Sequence, residues 1–114
     1  MIDRSKKITA RVYLSAMGRN PVRDWLLKLD KEDRRVIGKD IQKVEFGWPI
    51  GHAVLPRAWA RPLRSDLSGG RIARVIFSIN RGEMVLIHGF EKKSQKTPSL
   101  DLELALKRKR EIAK

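Results

Sequence analysis

The chain has 114 residues and no cysteine, and its 26 Lys and Arg outnumber 13 Asp and Glu to give a formal net charge of +13 at pH 7. That length suits a single domain, 1–114, which can bury a core without disulfides. The lack of cysteine fits a reducing compartment. MIDRSKK at the start leads into no apolar stretch, and no apolar run approaches the roughly 18 residues of a membrane span, so a cytoplasmic domain is expected.

The charge is uneven. Residues 1–55 hold 12 basic and 7 acidic side chains, residues 56–100 hold 9 and 3, and residues 101–114 hold 5 and 3. The stretch 56–100 is thus the most one-sidedly basic. Such a field draws polyanions, nucleic acid above all.

In chain order, ITARVYL (8–14) is rich in β-branched and aromatic residues and predicts a strand. AMGRN (16–20) breaks it. Asn20-Pro21 starts a helix, with Asn as cap and Pro at the first helical position. Val22, Trp25, Leu26 and Leu29 form its apolar stripe. Asp30 opens a second helix, whose stripe is Ile37, Ile41, Val44 and Trp48, and Gly47 and Pro49 end it. The short connection predicts an antiparallel helical hairpin. Three prolines, Pro49, Pro56 and Pro62, argue against a regular central strand in 49–70, although RPLRSDL can form an edge strand. RIARVIFSI (71–79) is a strand with Ala73, Val75, Phe77 and Ile79 on one face. NRGE (80–83) turns the chain into EMVLIHGF (83–90). With Arg81 and Gly82 as the loop, Val75 would face His88 and Arg74 would face Gly89. Thr97-Pro98 starts a last helix with a stripe of Leu102, Ala105, Leu106 and Ile112, and KRKR (107–110) suits its C-terminal end. The order β-α-α-β-β-β-α predicts an α+β domain with an antiparallel sheet.

Several chemistries lack their residues. The two histidines, His52 and His88, stand apart from any ligand-spaced partner, so neither a metal site nor a cofactor is expected. No phosphate loop, dinucleotide fingerprint or nucleophile elbow occurs. The basic residues are more informative. In an antiparallel hairpin the start of one strand lies beside the end of the next. Arg71 and Arg74 would therefore converge with Lys92, Lys93 and Lys96, and Arg64 would join them if its strand pairs alongside. Arg74 sits inside an apolar strand, where a guanidinium either snorkels to solvent or lines a concave face for an anion. His88 is either a satisfied, half-buried histidine or a functional one.

LRSDLSGGRIARV (63–75), followed by VLIHGFEKKSQKTP (85–98), resembles the phage-related branch of the RelE/HigB toxins of type II toxin–antitoxin systems. GRNPVRDWL (18–26) is similar too. The resemblance implies a RelE-like fold and a ribosome-dependent mRNA endonuclease that uses no metal. It implies attack of a ribose 2′-OH on the adjacent phosphate, leaving a 2′,3′-cyclic phosphate and a 5′-OH. It implies that Arg64 and Arg74 clamp phosphate and carry transition-state charge, and that one of Lys92, Lys93 and Lys96 is general acid or base. Arg61, Arg71 and His88 would add RNA contacts. The implied partners are a cognate helix-turn-helix antitoxin, the 70S ribosome and mRNA. Two features depart from the pattern. Many relatives carry a tyrosine or histidine near the C-terminus, whereas the only tyrosine here is Tyr13 and Glu91 is the only carboxylate beside the loop. Arg61-Pro62 also replaces an aromatic–acid pair. Two other readings stay open: a ParE-like gyrase poison, which shares the fold, and a non-catalytic nucleic-acid-binding module.

Overall fold

The computed structural model describes residues 6–47, 61–92 and 99–112. The chain is a mixed α+β fold of three helices and a four-stranded sheet. Strand β1 (Thr9–Val12) leads to helices α1 (Pro21–Leu27) and α2 (Lys31–Gly47). Strands β2 (Arg61–Asp66), β3 (Ile72–Asn80) and β4 (Glu83–Lys92) follow, and then helix α3 (Ser99–Ile112). Trp48, residues 49–60 and Thr97-Pro98 lie outside the described residues.

The sheet order is β1-β4-β3-β2. It is mixed rather than antiparallel, because β1 runs parallel to β4, from Thr9 opposite Glu83 to Val12 opposite Leu86. The helical segment between β1 and β2 supplies the long connection that a parallel pair requires. Pro62 is tolerated because β2 is an edge strand. Among the described helices, none is long and apolar enough to cross a membrane.

Local chemistry accounts for the ends of α1. The Asn20 side chain accepts from the Arg23 amide at 3.2 Å, and Pro21 occupies the first turn. At the β3–β4 turn, Arg81 and Gly82 have φ of 52° and 80°, both positive as a two-residue type I′ loop demands.

The hairpin register departs from the uniform pairing expected from sequence. Phe77 faces Leu86, but Ile76 faces His88, so Ile87 is an extra residue and a bulge forms. Beyond it, Val75 faces Gly89 and Arg74 faces Phe90. Extended backbone alternates faces, and the bulge turns Ile87 and His88 to the same one.

Two apolar layers result. Val22, Ile37, Val44, Ala73, Val75, Phe77, Met84 and Leu86 fill the space under α1 and α2, with Trp25, Leu26, Leu29 and Ile41 at its margin. Tyr13, Ile76, Val85, Ile87, Phe90 and Ala105 fill the space under α3. Gly89 has a packing reason to be glycine: a methyl there would overlap three carbons of the Trp25 indole. The expected stripe of α3 is rotated by one position. Leu102 is exposed, and the inward residues are Asp101, Ala105, Arg108 and Ile112. Ala105, fully buried at the middle, lets the helix approach β4.

Candidate functional site

Arg64, Arg74 and Lys92 share the α3 side of the sheet. Arg64 lies directly opposite Arg74, and Arg74 opposite Phe90. Opposed residues have Cβ atoms about 5 Å apart, and like charges so placed are destabilising. Lys92 stands one row along, opposite Ile72. It belongs to β4, not to a loop after it as the sequence suggests. Helix α3 packs over β4 on this same side of the sheet.

The row is only partly relieved. The Arg74 Nε is buried and meets no hydrogen-bond partner. Partial burial, reinforced by the charges of Arg74 and Arg64, pushes the Lys92 ammonium pKa below its ordinary value. Arg64 has one partner here, Asp66, which accepts from its Nε at 3.0 Å. Both side chains of that pair are more than half exposed. Such a surface pair is worth only about 0–1 kcal/mol, so an incoming phosphate can replace it. Together these groups form a cationic face with Phe90 as an aromatic neighbour.

Arg71 is placed differently. Its Nε donates to the Ser68 carbonyl at 3.0 Å. Its Nη1 donates to Asp33 and to Glu91, and its Nη2 to Asp33 and to the Ser68 hydroxyl. All five guanidinium donors are thereby engaged. Asp33, with only 4% of its side chain exposed, extends the buried face of α2 by one turn from Ile37. Arg71 is a clasp between α2 and the sheet, and these carboxylates hold its pKa above the ordinary value. Glu91 is part of that clasp. As the neighbour of Lys92 on an extended strand, it faces the opposite side of the sheet.

His88 is likewise held by protein. Its Nε2 lies 2.5 Å from Asp101 and its Nδ1 lies 3.3 Å from the Arg108 Nη1. Arginine can only donate, so Nδ1 accepts and Nε2–H donates to Asp101. The ring also stacks on Phe90, with centroids 5.5 Å apart. Arg108 further donates to the Ile87 carbonyl at 2.9 Å and lies over the Tyr13 ring. The Tyr13 hydroxyl donates to Glu111. This polar seam docks α3 onto β4. The bulge creates it, by presenting Ile87 and His88 together.

Arg61 opens β2 opposite Phe77, while Lys93 and Lys96 lie outside the described residues. Sequence reasoning missed the Arg71 clasp and the His88 seam. Two signals pointed to them: Asp33, a carboxylate four residues before Ile37 on the apolar stripe, and Asp101, Ala105, Arg108 and Ile112 at i, i+4, i+7, i+11.

The chain is a small basic α+β protein with a row of cations on one face of its sheet. The chain belongs to the phage-derived Gp49-like proteins, for the family model described as Phage derived protein Gp49-like (DUF891) matches residues 24–110. That family is related to the toxins of toxin–antitoxin systems. Curated proteins and solved structures give no match to the chain.

Proposed function

We propose that the protein is a translation-inhibiting toxin of a type II toxin–antitoxin system, acting as a metal-independent, ribosome-dependent mRNA endonuclease. The observation that carries this reading is the buried Arg74 Nε without a partner, set between Arg64 and a Lys92 of lowered pKa. A fold keeps like charges and an unsatisfied donor together at a cost, and a bound phosphate would relieve both.

In the proposed reaction the ribose 2′-OH gives up its proton to solvent water as its oxygen attacks the adjacent phosphorus. A P–O2′ bond forms and the P–O5′ bond breaks, giving a 2′,3′-cyclic phosphate and a 5′-OH. Arg64 and Arg74 hold the non-bridging oxygens as their negative charge grows. Lys92, whose pKa is lowered by partial burial and by the charges of Arg74 and Arg64, hands a proton to the departing 5′-oxygen. Lys93 and Lys96 are assigned to the same surface on the resemblance alone. Arg71 and His88 act as positioning residues, the first holding β3 against α2 and the second holding α3 beside the row. Arg61 is assigned to the RNA strand, a cognate helix-turn-helix antitoxin would neutralise the protein, and the cytoplasm would be its place of action.

The test is induction in cells, followed by mapping of new RNA 5′ ends. Cleavage of translated mRNAs, lost in the Arg64→Ala/Arg74→Ala double variant, is the expected result. Intact transcripts accompanied by DNA damage would favour a gyrase poison of the ParE kind and sink the nuclease reading.

A further inference from the structure

A second feature lies at the opposite edge of the sheet. The pairing of β1 with β4 ends just past Val12, where Tyr13 N–H donates to the Leu86 carbonyl, and a cleft of about 420 Å³ opens between the end of β1, α1 and α3. That volume is in the range of small-ligand sites. Trp25 gives it a half-exposed aromatic wall, and Tyr13 lines it from the core, only 5% exposed; Arg19, Lys28 and Arg108 give it three cations; Asp24 is its one carboxylate.

The cations are not equivalent. Arg108 is committed to the α3 seam and forms a fixed wall over Tyr13. Arg19 and Lys28 are exposed, and neither side chain meets a hydrogen-bond or ion-pair partner among the described residues. The backbone that carries Arg19 is nonetheless fixed. Ser15 N–H donates to the Arg19 carbonyl, Gly18 N–H donates to the Ser15 carbonyl, and Arg19 N–H donates to the Ser15 hydroxyl, all at 2.9–3.0 Å. Gly18 closes this turn with φ of 81°, a conformation suited to glycine. Trp25 is held on one side by Gly89 and remains half-exposed where it lines the cleft.

A half-exposed indole with exposed cations beside it matches a planar base carrying a phosphate. Aromatic stacking tolerates any base, arginine and lysine bind the phosphate, and a carboxylate accepts from an exocyclic amine or ribose hydroxyl. We infer that this cleft is a nucleotide-binding site, distinct from the Arg64–Arg74–Lys92 row, in which the base lies against Trp25 and the phosphate against Arg19 and Lys28. The nucleotide is either free or one unit of a single strand. The inference does not depend on the nuclease reading.

The test is a titration of the nitrogen-15-labelled protein with AMP and UMP, followed by amide and indole resonances. Trp25→Phe identifies the Trp25 indole among the three tryptophans. Both nucleotides should shift the Trp25 indole and the amides of Ser15 to Arg19 at roughly millimolar concentration or below. Arg19→Ala and Lys28→Ala should each weaken binding about tenfold. The Arg64→Ala/Lys92→Ala chain should bind as the parent does, which separates failure at this site from failure at the other. A short deoxyribonucleotide strand, which lacks the 2′-OH and resists cleavage, tells the sources apart. Competition by it places the nucleotide in a strand, whereas binding of the monophosphates without competition marks a free effector. Shifts confined to the Arg64–Arg74–Lys92 row would overturn the inference. So would equal effects from inorganic phosphate alone, or no shift at all.

Discussion

Replacing Arg74 with Met should make the protein more stable and less active. Arg74 lies on β3 opposite Arg64, with its Nε buried and unpartnered. An unsatisfied buried donor costs about 1–3 kcal/mol, and the opposed arginine and nearby lysine add repulsion. Methionine keeps most of the stem's packing and removes both penalties. Some packing is lost with the guanidinium, so a net gain of about 1 kcal/mol is expected. For a domain of this size that raises Tm by about 3–6 °C. Activity should move the other way. Losing one charge-assisted contact to a developing phosphorane costs about 3 kcal/mol, or about 100-fold in the rate of cleavage. Thermal unfolding and single-turnover cleavage on programmed ribosomes measure the two effects separately. The row would be structural, not functional, if Arg74→Met lowered Tm by several degrees. Unchanged cleavage by a stable variant would refute the role of Arg74 directly.

Other consequences follow from the same contacts. Asp33→Asn leaves the Arg71 clasp with one weakened, uncharged partner, and it should cost about 2–4 kcal/mol in urea unfolding while RNA affinity of the folded protein holds. Gly89→Ala drives a methyl into the Trp25 indole and should cost about 1–3 kcal/mol, with Trp25 fluorescence altered. The Lys92 pKa is lowered, so the folded protein releases this proton before the unfolded chain does. Stability of the free protein should therefore rise as pH climbs through the folded Lys92 pKa toward the unfolded lysine value. RNA affinity should fall over the same window, because only the ammonium attracts phosphate, and Lys92→Arg should abolish that fall.

Much of the local structure was legible in the sequence. Asn20-Pro21 starts α1 because one side chain and one ring settle the orphan amides of a first turn. Arg81-Gly82 turns β3 into β4 because a two-residue loop needs positive φ. Alternation identified the buried face of β3, and the 3.6-residue period identified those of α1 and most of α2. The sheet was less legible. Nothing in ITARVYL announces that its neighbour would be β4, 70 or so residues away and parallel, since partner choice depends on which edge remains open after the rest has packed.

The candidate site divides along the same line. The sequence by itself determined the excess of cations and the hairpin that gathers them, because charge and turn chemistry are properties of short segments. Only the tertiary structure decided which cations are free. Arg71 is absorbed by Asp33 and Glu91, which approach from a distant helix and the neighbouring strand. His88 is absorbed by Asp101 and Arg108, because one extra residue at Ile87 turns it toward α3. Arg74 keeps a buried Nε without a partner. Whether a guanidinium is satisfied depends on acceptors brought by long-range packing, and that packing is not written in the residues beside it.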